Sequence, residues 1–586
     1  MGYPRAKIIA TIGPSSNQKK LIHDLVKTGV NVFRLNFSHG SQQEHLEVIK
    51  MIQIVRQELN EPIAIMMDTK GYEIRVDPLP NKQISIEKNK TYRLGKNGDF
   101  NIHPYDVIGK IEQGMEILFD DGYLVAQCKG HYEDGALLEF KNERILKENK
   151  NCHIPNARLT IPDITQQDRS DILFAIKAGI DLIAVSFVVS KQNILAIKQL
   201  LLDEGCEDVG VIAKIETTKA IDNIESILQE ADGIMVARGD LGIELNMEVL
   251  PSIQKFLISR ALYWGKYTIV ATQMLESMIE NPRPTRAEVS DVANAIFDGS
   301  SAVMLSGETA VGKYPLEVVD RMRKIIIDAE EHIDLTDMYH KNGFRNGFDI
   351  SHAVAHGASI LSLTAHTSGI LAFSTTGRSA AAISALRPQN RIYALTGSFR
   401  TFHRLAIQWG VSPVFASFSN LDDGVSQASK IGVEKGWLRL GDLIVVTYGV
   451  PFNRPGTTNT IQLLHIGEVF FRGIGIGKNP VEAPVIHNLP LKVISPHLAK
   501  NKIVVIIDFQ PEYVPILKYA AGVLFVGYAE NNQEEEQFLL EIAQLGIPCV
   551  YRAHGDISSV QEGLFVTLDP VNGTILAKKH GLPNLS

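Results

Sequence analysis

Eight short apolar runs recur up to about residue 310, and this rhythm leaves few folds open. They are "KIIATIG", "VNVFRLNFS", "IAIMMDTKG", "DLIAVSFV", "GVIAKIE", "GIMVARGD", "YTIVATQM" and "SAVMLSGE". Segments of helical period separate most of them, such as "NQKKLIHDLVKTG" and "KQNILAIKQLLLDEG". Strands that alternate with helices pair in parallel, and eight such units predict a closed (β/α)8 TIM barrel. The catalytic face of such a barrel is the carboxyl end of its strands.

Side chains alternate along a strand, so residues two apart share a face. In "VFRLNFSH", Arg34, Asn36 and Ser38 fall together, opposite Phe33, Leu35 and Phe37. In "VIAKIE", Lys214 and Glu216 share a face with Ile212. In "MVARGD", Arg238 and Asp240 share the parity of Val236. The apolar sets are expected on the helices, and the polar sets at the barrel mouth. "MMDTKGYEIR" adds Asp68 and Thr69, and "TIVATQM" adds Thr272. Charge at one strand end is ordinary loop polarity. Charge at five strand ends points to an active site.

One interval breaks the rhythm. Residues 72–156 contain "YRLGKNGDFNIH", "MEILFDDGYLVAQCKG" and "GALLEFKNERI", short strands with Gly/Asp turns and no long helix. They predict a small β-barrel domain inserted after the third strand, where it can act as a lid. The barrel then comprises residues 1–71 and 157–335. A second α/β domain is expected over 336–472, with strands in "GILAFSTTG", "RIYALTG", "GVSPVFAS" and "DLIVVTYG". "GIGIGKNPVEAPVIHNLP" reads as a linker, and 485–586 as an extra α/β domain.

Composition narrows the partners. The 586-residue chain is 45% hydrophobic and 21% charged, with net charge −8, which gives no footprint for nucleic acid or an anionic membrane. Cys128, Cys152, Cys206 and Cys549 are too scattered for a zinc site or a disulfide framework. No secretory leader or membrane-spanning run is evident, and a cytoplasmic protein is expected.

The polar set has a definite chemistry. Two hard carboxylates, Glu216 and Asp240, with waters and a substrate phosphate, suit Mg²⁺. Arg34 and Lys214 supply positive charge for a phosphoryl group. Gly239 and Asp240 can offer backbone N–H groups to a carboxylate if a helix begins there, and Thr272 offers a hydroxyl. Asn36, Ser38, Asp68 and Thr69 are oxygen donors that suit a second, monovalent cation. Phosphoryl transfer needs positioning and charge neutralisation, and this set supplies both. "GETAVGKY" is a near miss for a P-loop: Tyr314 stands where Ser or Thr would hold Mg²⁺. In the second α/β domain, "FSTTGRSA" places Ser374, Thr375, Thr376, Gly377, Arg378 and Ser379 in a strand-to-helix turn suited to phosphate. An ordinary capped turn has the same local features.

The motifs "KIIATIGPSS", "GVNVFRLNFSHG", "MDTKGYEIR", "MVARGDLGIE", "ATQMLESMIENPRPTRAEVSDVANAIFDG" and "VMLSGETAVGKYPLE" resemble those of the pyruvate kinase family, in order, over about residues 5–470. The resemblance implies phosphoryl transfer from phosphoenolpyruvate to ADP, giving pyruvate and ATP. It implies that Lys214 stabilises the transferring phosphoryl and the enolate oxygen, that Arg34 binds phosphate, and that Glu216 and Asp240 hold Mg²⁺ or Mn²⁺. Gly239, Asp240 and Thr272 would hold the substrate carboxylate or lie over the methyl-forming face, with Thr272 relaying the proton. Nucleotide contacts would fall on Asn36, Phe37, Ser38, His39, Arg75 and Lys150. Asn36, Ser38, Asp68 and Thr69 match the family's K⁺ ligands. Glu73 matches members that need K⁺, where K⁺-independent members tend to carry Lys. "FSTTGRSA" resembles the family's effector phosphate loop, and "GVPFNRPGTTNT", with Arg454 and Gly456, its partner loop. A phosphorylated sugar or nucleotide effector and a homotetramer are implied. Tyr72, Val189, Ser300 and Ser301 depart from the family's usual residues at positions without an assigned catalytic role.

The last hundred residues resemble the swivelling phosphohistidine domain of phosphoenolpyruvate-utilising enzymes. Where that domain carries its phosphoacceptor His, this chain reads "YAENNQEEEQ". A catalytically dead, structural or regulatory tail is expected. Two other functions compete: a lyase or aldolase acting on pyruvate enolate, and a non-catalytic sensor of phosphorylated metabolites. The lid, the K⁺ set and Arg75 weigh against the first. Intact Lys214, Glu216, Asp240 and Thr272 weigh against the second.

Overall fold

The computed structural model describes residues 4–133, 135–155, 157, 161–335, 350–452, 456–467, 469–487, 496–507, 513–526 and 532–577. Eight strands, β1 (Lys7–Thr11), β2 (Val30–Asn36), β3 (Ala64–Asp68), β4 (Leu182–Val185), β5 (Gly210–Ile215), β6 (Gly233–Ala237), β7 (Tyr267–Ala271) and β8 (Ala302–Leu305), close into a parallel barrel. β1 pairs with both β2 and β8, which completes the ring. All eight predicted runs are barrel strands.

Both faces of each strand are buried, which explains the near-continuous apolar runs. Val32, Met66, Ala184, Ile212, Met235 and Ile269 fill the barrel interior. Phe33, Leu35, Met67, Ala213, Val236 and Val270 pack outward with apolar helix residues such as Ile22, Leu25, Ile49 and Ile52. Each fully buried Leu, Ile or Phe contributes about 1.5–3 kcal/mol. Local chemistry sets the helix ends. Ser41 and Glu44 form a capping box at the start of Gln42–Leu59, and Thr285 and Glu288 form another at Arg286–Phe297. Gly179, at φ 91°, ends Gln166–Ala178.

The amino-terminal mouth of the barrel is plugged. Ala406 and Ile407, in the short helix Leu405–Ile407, join the interior core. Buried Asp181 pairs with Arg56 at 2.9 Å and accepts from Ile65 N at 2.8 Å. Ile63 N donates to His403 Nδ1 at 3.2 Å. Only the carboxyl-end mouth is left to hold a site.

Between β3 and the helix Gln166–Ala178 the chain runs through an antiparallel sheet. Its order is Cys152–His153, Glu116–Phe119, Leu124–Tyr132, Gly135–Phe140 and Thr91–Gly95. Phe100, Phe119, Leu124, Leu138 and Phe140 give it a core distinct from that of the barrel. The insert is thus all-β with its own apolar core, but among the described residues it is a five-stranded sheet with two-stranded ones beside it and not the closed β-barrel expected.

The chain divides into two compact units, one comprising residues 1–359, 372–415 and 453–458, the other 360–371, 416–452 and 459–586. The first holds the barrel, the insert and the parallel pair Ile392–Thr396 and Val411–Phe415. The second holds helix Leu421–Glu434, strand Leu443–Gly449 and a closed seven-stranded barrel. Residues 473–487 differ from the expected linker, whose last three residues lie outside the described residues. Val469–Ile476 and Val481–His487 are strands of that second barrel. The glycines that suggested a linker serve close approach instead. A Cβ on Gly475 would lie 1.8 Å from the Pro570 carbonyl oxygen. Within the same unit, Glu535 of the acidic "EEE" run is buried and paired with Arg552 at 2.8 Å. No described helix is long and apolar enough to cross a membrane.

Candidate active site

The sequence places one cationic side chain on β5 facing the barrel axis, and the structure sets it among acids. Lys214 Nζ lies 3.0 Å from Asp68 Oδ1 and 2.8 Å from Glu216 Oε1, and it donates to Ser186 Oγ at 2.8 Å. Arg34 Nε donates to the other Asp68 oxygen at 2.6 Å, and its Nη1 donates to Thr11 Oγ1 at 3.1 Å. Asp68 is 1% exposed and Glu216 is 2% exposed, so each charge needs a partner. Burial acts against the Lys214 ammonium, but Asp68 and Glu216 outweigh it and raise its pKa above the ordinary lysine value. Burial also opposes ionisation of Asp68, yet Arg34 and Lys214 prevail and lower its pKa.

Glu216 and Asp240 behave in the opposite sense. Burial is the largest influence on each and pushes the pKa up, to about 7 for Glu216. Lys214 alone does not compensate them. A buried carboxylate, Glu216, and a half-buried one, Asp240, with this deficit of positive charge fit a hard divalent cation. Among the described residues no three His, Cys, Asp or Glu converge as a complete cage, so water and substrate oxygens would fill the remaining positions. Glu216 is oriented by the Phe187 backbone, whose N–H donates to Oε2 at 2.6 Å. Phe187 holds φ at 54° to do so, a strained value for a bulky residue.

Arg238 shares the parity of Val236 as read, but that face points outward rather than into the barrel mouth. Val236 points outward into the helix-packed core, and helix Arg238–Glu244 begins directly after β6. At this turn Arg238 stays on the outward side with Val236 and reaches Asp291 at 2.7 Å and the Thr272 carbonyl at 2.7 Å. The same turn brings Gly239 N to Thr272 Oγ1 at 2.9 Å. Thr272 sits at φ 68°, rare for a β-branched residue. Arg238 thus anchors the Thr272 backbone, and Asp240 lies in the first turn of the new helix. A cavity of about 190 Å³ opens beside them, and Glu216, Asp240, Phe187, Glu73, Arg75 and His153 are among its lining residues.

Asn36 and Asp68 stand opposite each other on neighbouring strands β2 and β3. Asn36 Oδ1 accepts from Ser38 N at 3.1 Å, and Thr69 Oγ1 accepts from Ser186 N at 3.0 Å. Four oxygen-bearing residues therefore lie along two adjacent strand ends. Phe37 stacks on His45 with ring centroids 4.1 Å apart, and the His39 carbonyl accepts from His45 Nε2 at 2.9 Å. In the insert, Arg75 is chelated by Glu73 at 2.8 and 3.0 Å and donates to the Asn149 carbonyl at 2.7 Å. Lys150 pairs with Asp120 at 2.6 Å.

The effector-loop candidates lie in a turn that leads into helix Arg378–Ala385, with Gly377 at φ 79° before it. Ser374 is buried and its hydroxyl has no hydrogen-bond partner among the described residues. The Thr375 carbonyl accepts from Thr401 Oγ1 at 3.1 Å, and the Thr376 carbonyl accepts from Arg404 Nη2. Ser379 Oγ lies 2.6 Å from Thr458 Oγ1, and Gly456 sits at φ 78°. Arg378 is exposed. Arg454 lies outside the described residues.

Sequence reasoning missed Ser186, Phe187 and Thr11. Ser186 directly follows β4 and shares the inward parity of Ala184, so the alternation rule reaches it once the strand's end is known. The Phe187 contribution is a backbone N–H and carries no side-chain signal.

Comparison with known proteins places the chain in a family. Residues 3–319 match the family model described as pyruvate kinase, barrel domain, and residues 352–464 match pyruvate kinase, alpha/beta domain. Pyruvate kinases of Staphylococcus aureus strains MRSA252 and USA300 are each 36% identical over 580 residues, covering 97% of this chain and 98% of theirs. A solved pyruvate kinase from Cryptosporidium parvum superposes with a TM-score of 0.75 at 32% identity, covering 79% of this chain and 96% of its own.

Proposed function

Since the chain belongs to the pyruvate kinase family, we propose that it transfers the phosphoryl group of phosphoenolpyruvate to ADP, giving pyruvate and ATP, at the carboxyl-end mouth of its eight-stranded barrel. One observation carries this reading: Lys214 is held between Asp68 and Glu216, with Arg34 on the far side of Asp68. Positive charge is thereby fixed before substrate arrives, which suits a reaction governed by positioning and electrostatics. Arg34 binds the phosphate, and Lys214 neutralises charge on the transferring phosphoryl and the enolate oxygen. Glu216 and Asp240 hold Mg²⁺ or Mn²⁺, which supplies Lewis-acid charge neutralisation when bound. The N–H groups at Gly239 and Asp240 face the substrate carboxylate. Thr272 Oγ1 relays the proton to the methyl-forming carbon.

Asn36, Ser38, Asp68 and Thr69 form the K⁺ site, and Glu73 makes the activity K⁺-dependent. Asn36 to His39, Arg75 and Lys150 contact the nucleotide; the last two exchange their present carboxylate partners for phosphate. Ser374 to Ser379, with Arg454 and Gly456, bind a phosphorylated sugar or nucleotide that activates the enzyme. The partnerless Ser374 hydroxyl supports this assignment. The assembly is a cytoplasmic homotetramer. The domains are the barrel (1–71 and 157–335), the lid (72–156), the effector domain (336–472) and a swivel-like tail (485–586) without phosphoacceptor chemistry.

The test is pyruvate formation with Mg²⁺, with and without K⁺, beside Lys214→Met. Activity that rises with K⁺ and falls at least ~10²-fold in the variant is expected. Undiminished turnover in Lys214→Met would refute the assignment. Indifference to K⁺ would remove the cation site alone.

A further inference from the structure

The insert contributes an imidazole to the catalytic cavity that none of the roles above uses. His153, on the insert strand Cys152–His153, lines the same cavity as Glu216, Asp240 and Arg75. Its tautomer follows from its neighbour. Asn151 Oδ1 accepts from Asp121 N at 2.9 Å, and Asn151 Nδ2 donates to Asp121 Oδ1 at 2.5 Å. Those two bonds fix which end of the amide is which. The end lying 3.4 Å from His153 Nε2 is therefore the amide nitrogen, a donor. Nε2 faces a donor and acts as acceptor, so the ring proton resides on Nδ1. Nδ1–H has no protein partner among the described residues. Burial lowers the His153 pKa despite nearby Glu244, Asp121, Glu216 and Glu73, in keeping with a neutral ring.

We propose that His153 is a nucleotide-binding residue of this cavity, its Nδ1–H donating to a phosphate oxygen of the nucleoside diphosphate. This rests on the cavity being the phosphoryl-transfer site proposed above. The choice of ligand follows from the two walls. The barrel wall supplies Glu216, Asp240 and Phe187, whereas Lys214, Arg34, Gly239 and Thr272, the groups suited to a small phosphorylated carboxylate, do not line this cavity. The insert wall supplies Arg75, Asn151 and His153, with Glu73 chelating Arg75. A polyphosphate lying between the walls meets cation ligands on one side and neutral or cationic donors on the other. The carboxylates that crowd His153 leave an anion as an acceptable partner only when it arrives with its metal, so the ligand is the Mg²⁺–ADP complex.

The test compares wild type, His153→Ala and His153→Gln in the full chain, after thermal melts establish equal folding. Steady-state kinetics gives KM for ADP, KM for phosphoenolpyruvate and kcat. Titration calorimetry with Mg²⁺–ADP gives binding without turnover. The expected result for His153→Ala is KM and Kd for Mg²⁺–ADP raised about tenfold, kcat changed less than threefold, and KM for phosphoenolpyruvate unchanged. His153→Gln keeps an N–H donor and recovers most of the affinity. Unchanged Mg²⁺–ADP affinity in His153→Ala overturns the proposal, and so does an equal loss for both substrates, which would indicate a structural role. Should wild type bind Mg²⁺–ADP through His153 yet form no pyruvate, the nucleotide site stands and the proposed reaction falls.

Discussion

Single residues at the barrel mouth are arranged at a cost in backbone strain and in buried charge. Thr272 at φ 68° and Phe187 at φ 54° are held in a region that side chains of their shape disfavour. The strain has a local product in each case: a hydroxyl 2.9 Å from Gly239 N, and an N–H 2.6 Å from Glu216. Thr272→Ala removes the hydroxyl and leaves the fold intact. Steady-state assays should show kcat reduced by about 10²-fold or more, with Thr272→Ser retaining more activity than Thr272→Ala. Equal kcat in Ala and Ser variants would exclude the hydroxyl from proton transfer. Glu216→Gln keeps the volume and removes the charge. The concentration of Mg²⁺ giving half-maximal rate should rise at least ~10-fold.

At the scale of elements, the barrel depends on polar groups at its amino-terminal end, remote from the chemistry. Arg56, on helix Gln42–Leu59, offsets buried Asp181, whose pKa burial still pushes up to about 6. Arg56→Ala leaves that carboxylate unpaired and should cost ~3–5 kcal/mol in urea denaturation. The double change Arg56→Leu with Asp181→Val should recover much of the loss. His403 carries a pH dependence. Burial, then the nearby Arg56 charge, lowers its pKa to about 3, whereas the unfolded chain titrates near about 6.5. The unfolded state takes up the proton first. Stability is therefore full above about pH 6.5 and declines as the pH falls toward 3, by up to ~1.4 kcal/mol per unit. His403→Gln keeps an acceptor for Ile63 N, and its melting temperature should fall less between pH 7 and 5 than that of wild type. These same elements show what the sequence made legible. The eight strands were readable because burial on both faces leaves an unbroken apolar run, and the inward parity of Arg34, Lys214 and Glu216 followed from the strand period. Arg238 was misplaced because Val236, whose parity it shares, faces the helices and not the barrel axis. Residues 473–487 were misread because glycines that admit close strand packing look the same, in sequence, as glycines that loosen a linker.

For the whole molecule, the proposed function puts phosphoryl transfer on the barrel and none on the tail. In the second compact unit, Glu535 is tied to Arg552, and an acidic, paired side chain is a poor phosphate acceptor. Incubation with labelled phosphoenolpyruvate should therefore leave no acid-labile phosphohistidine on the tail, as read by peptide mapping after rapid quench. Label on any tail histidine would restore a transfer role to that unit. Phosphoryl transfer at the barrel mouth is open to a stoichiometric test. Phosphoenolpyruvate and ADP, with Mg²⁺, K⁺ and a panel of phosphorylated sugars and nucleotides, should yield pyruvate and ATP in equal amounts. Pyruvate without ATP, or no turnover under any of these conditions, would contradict the account.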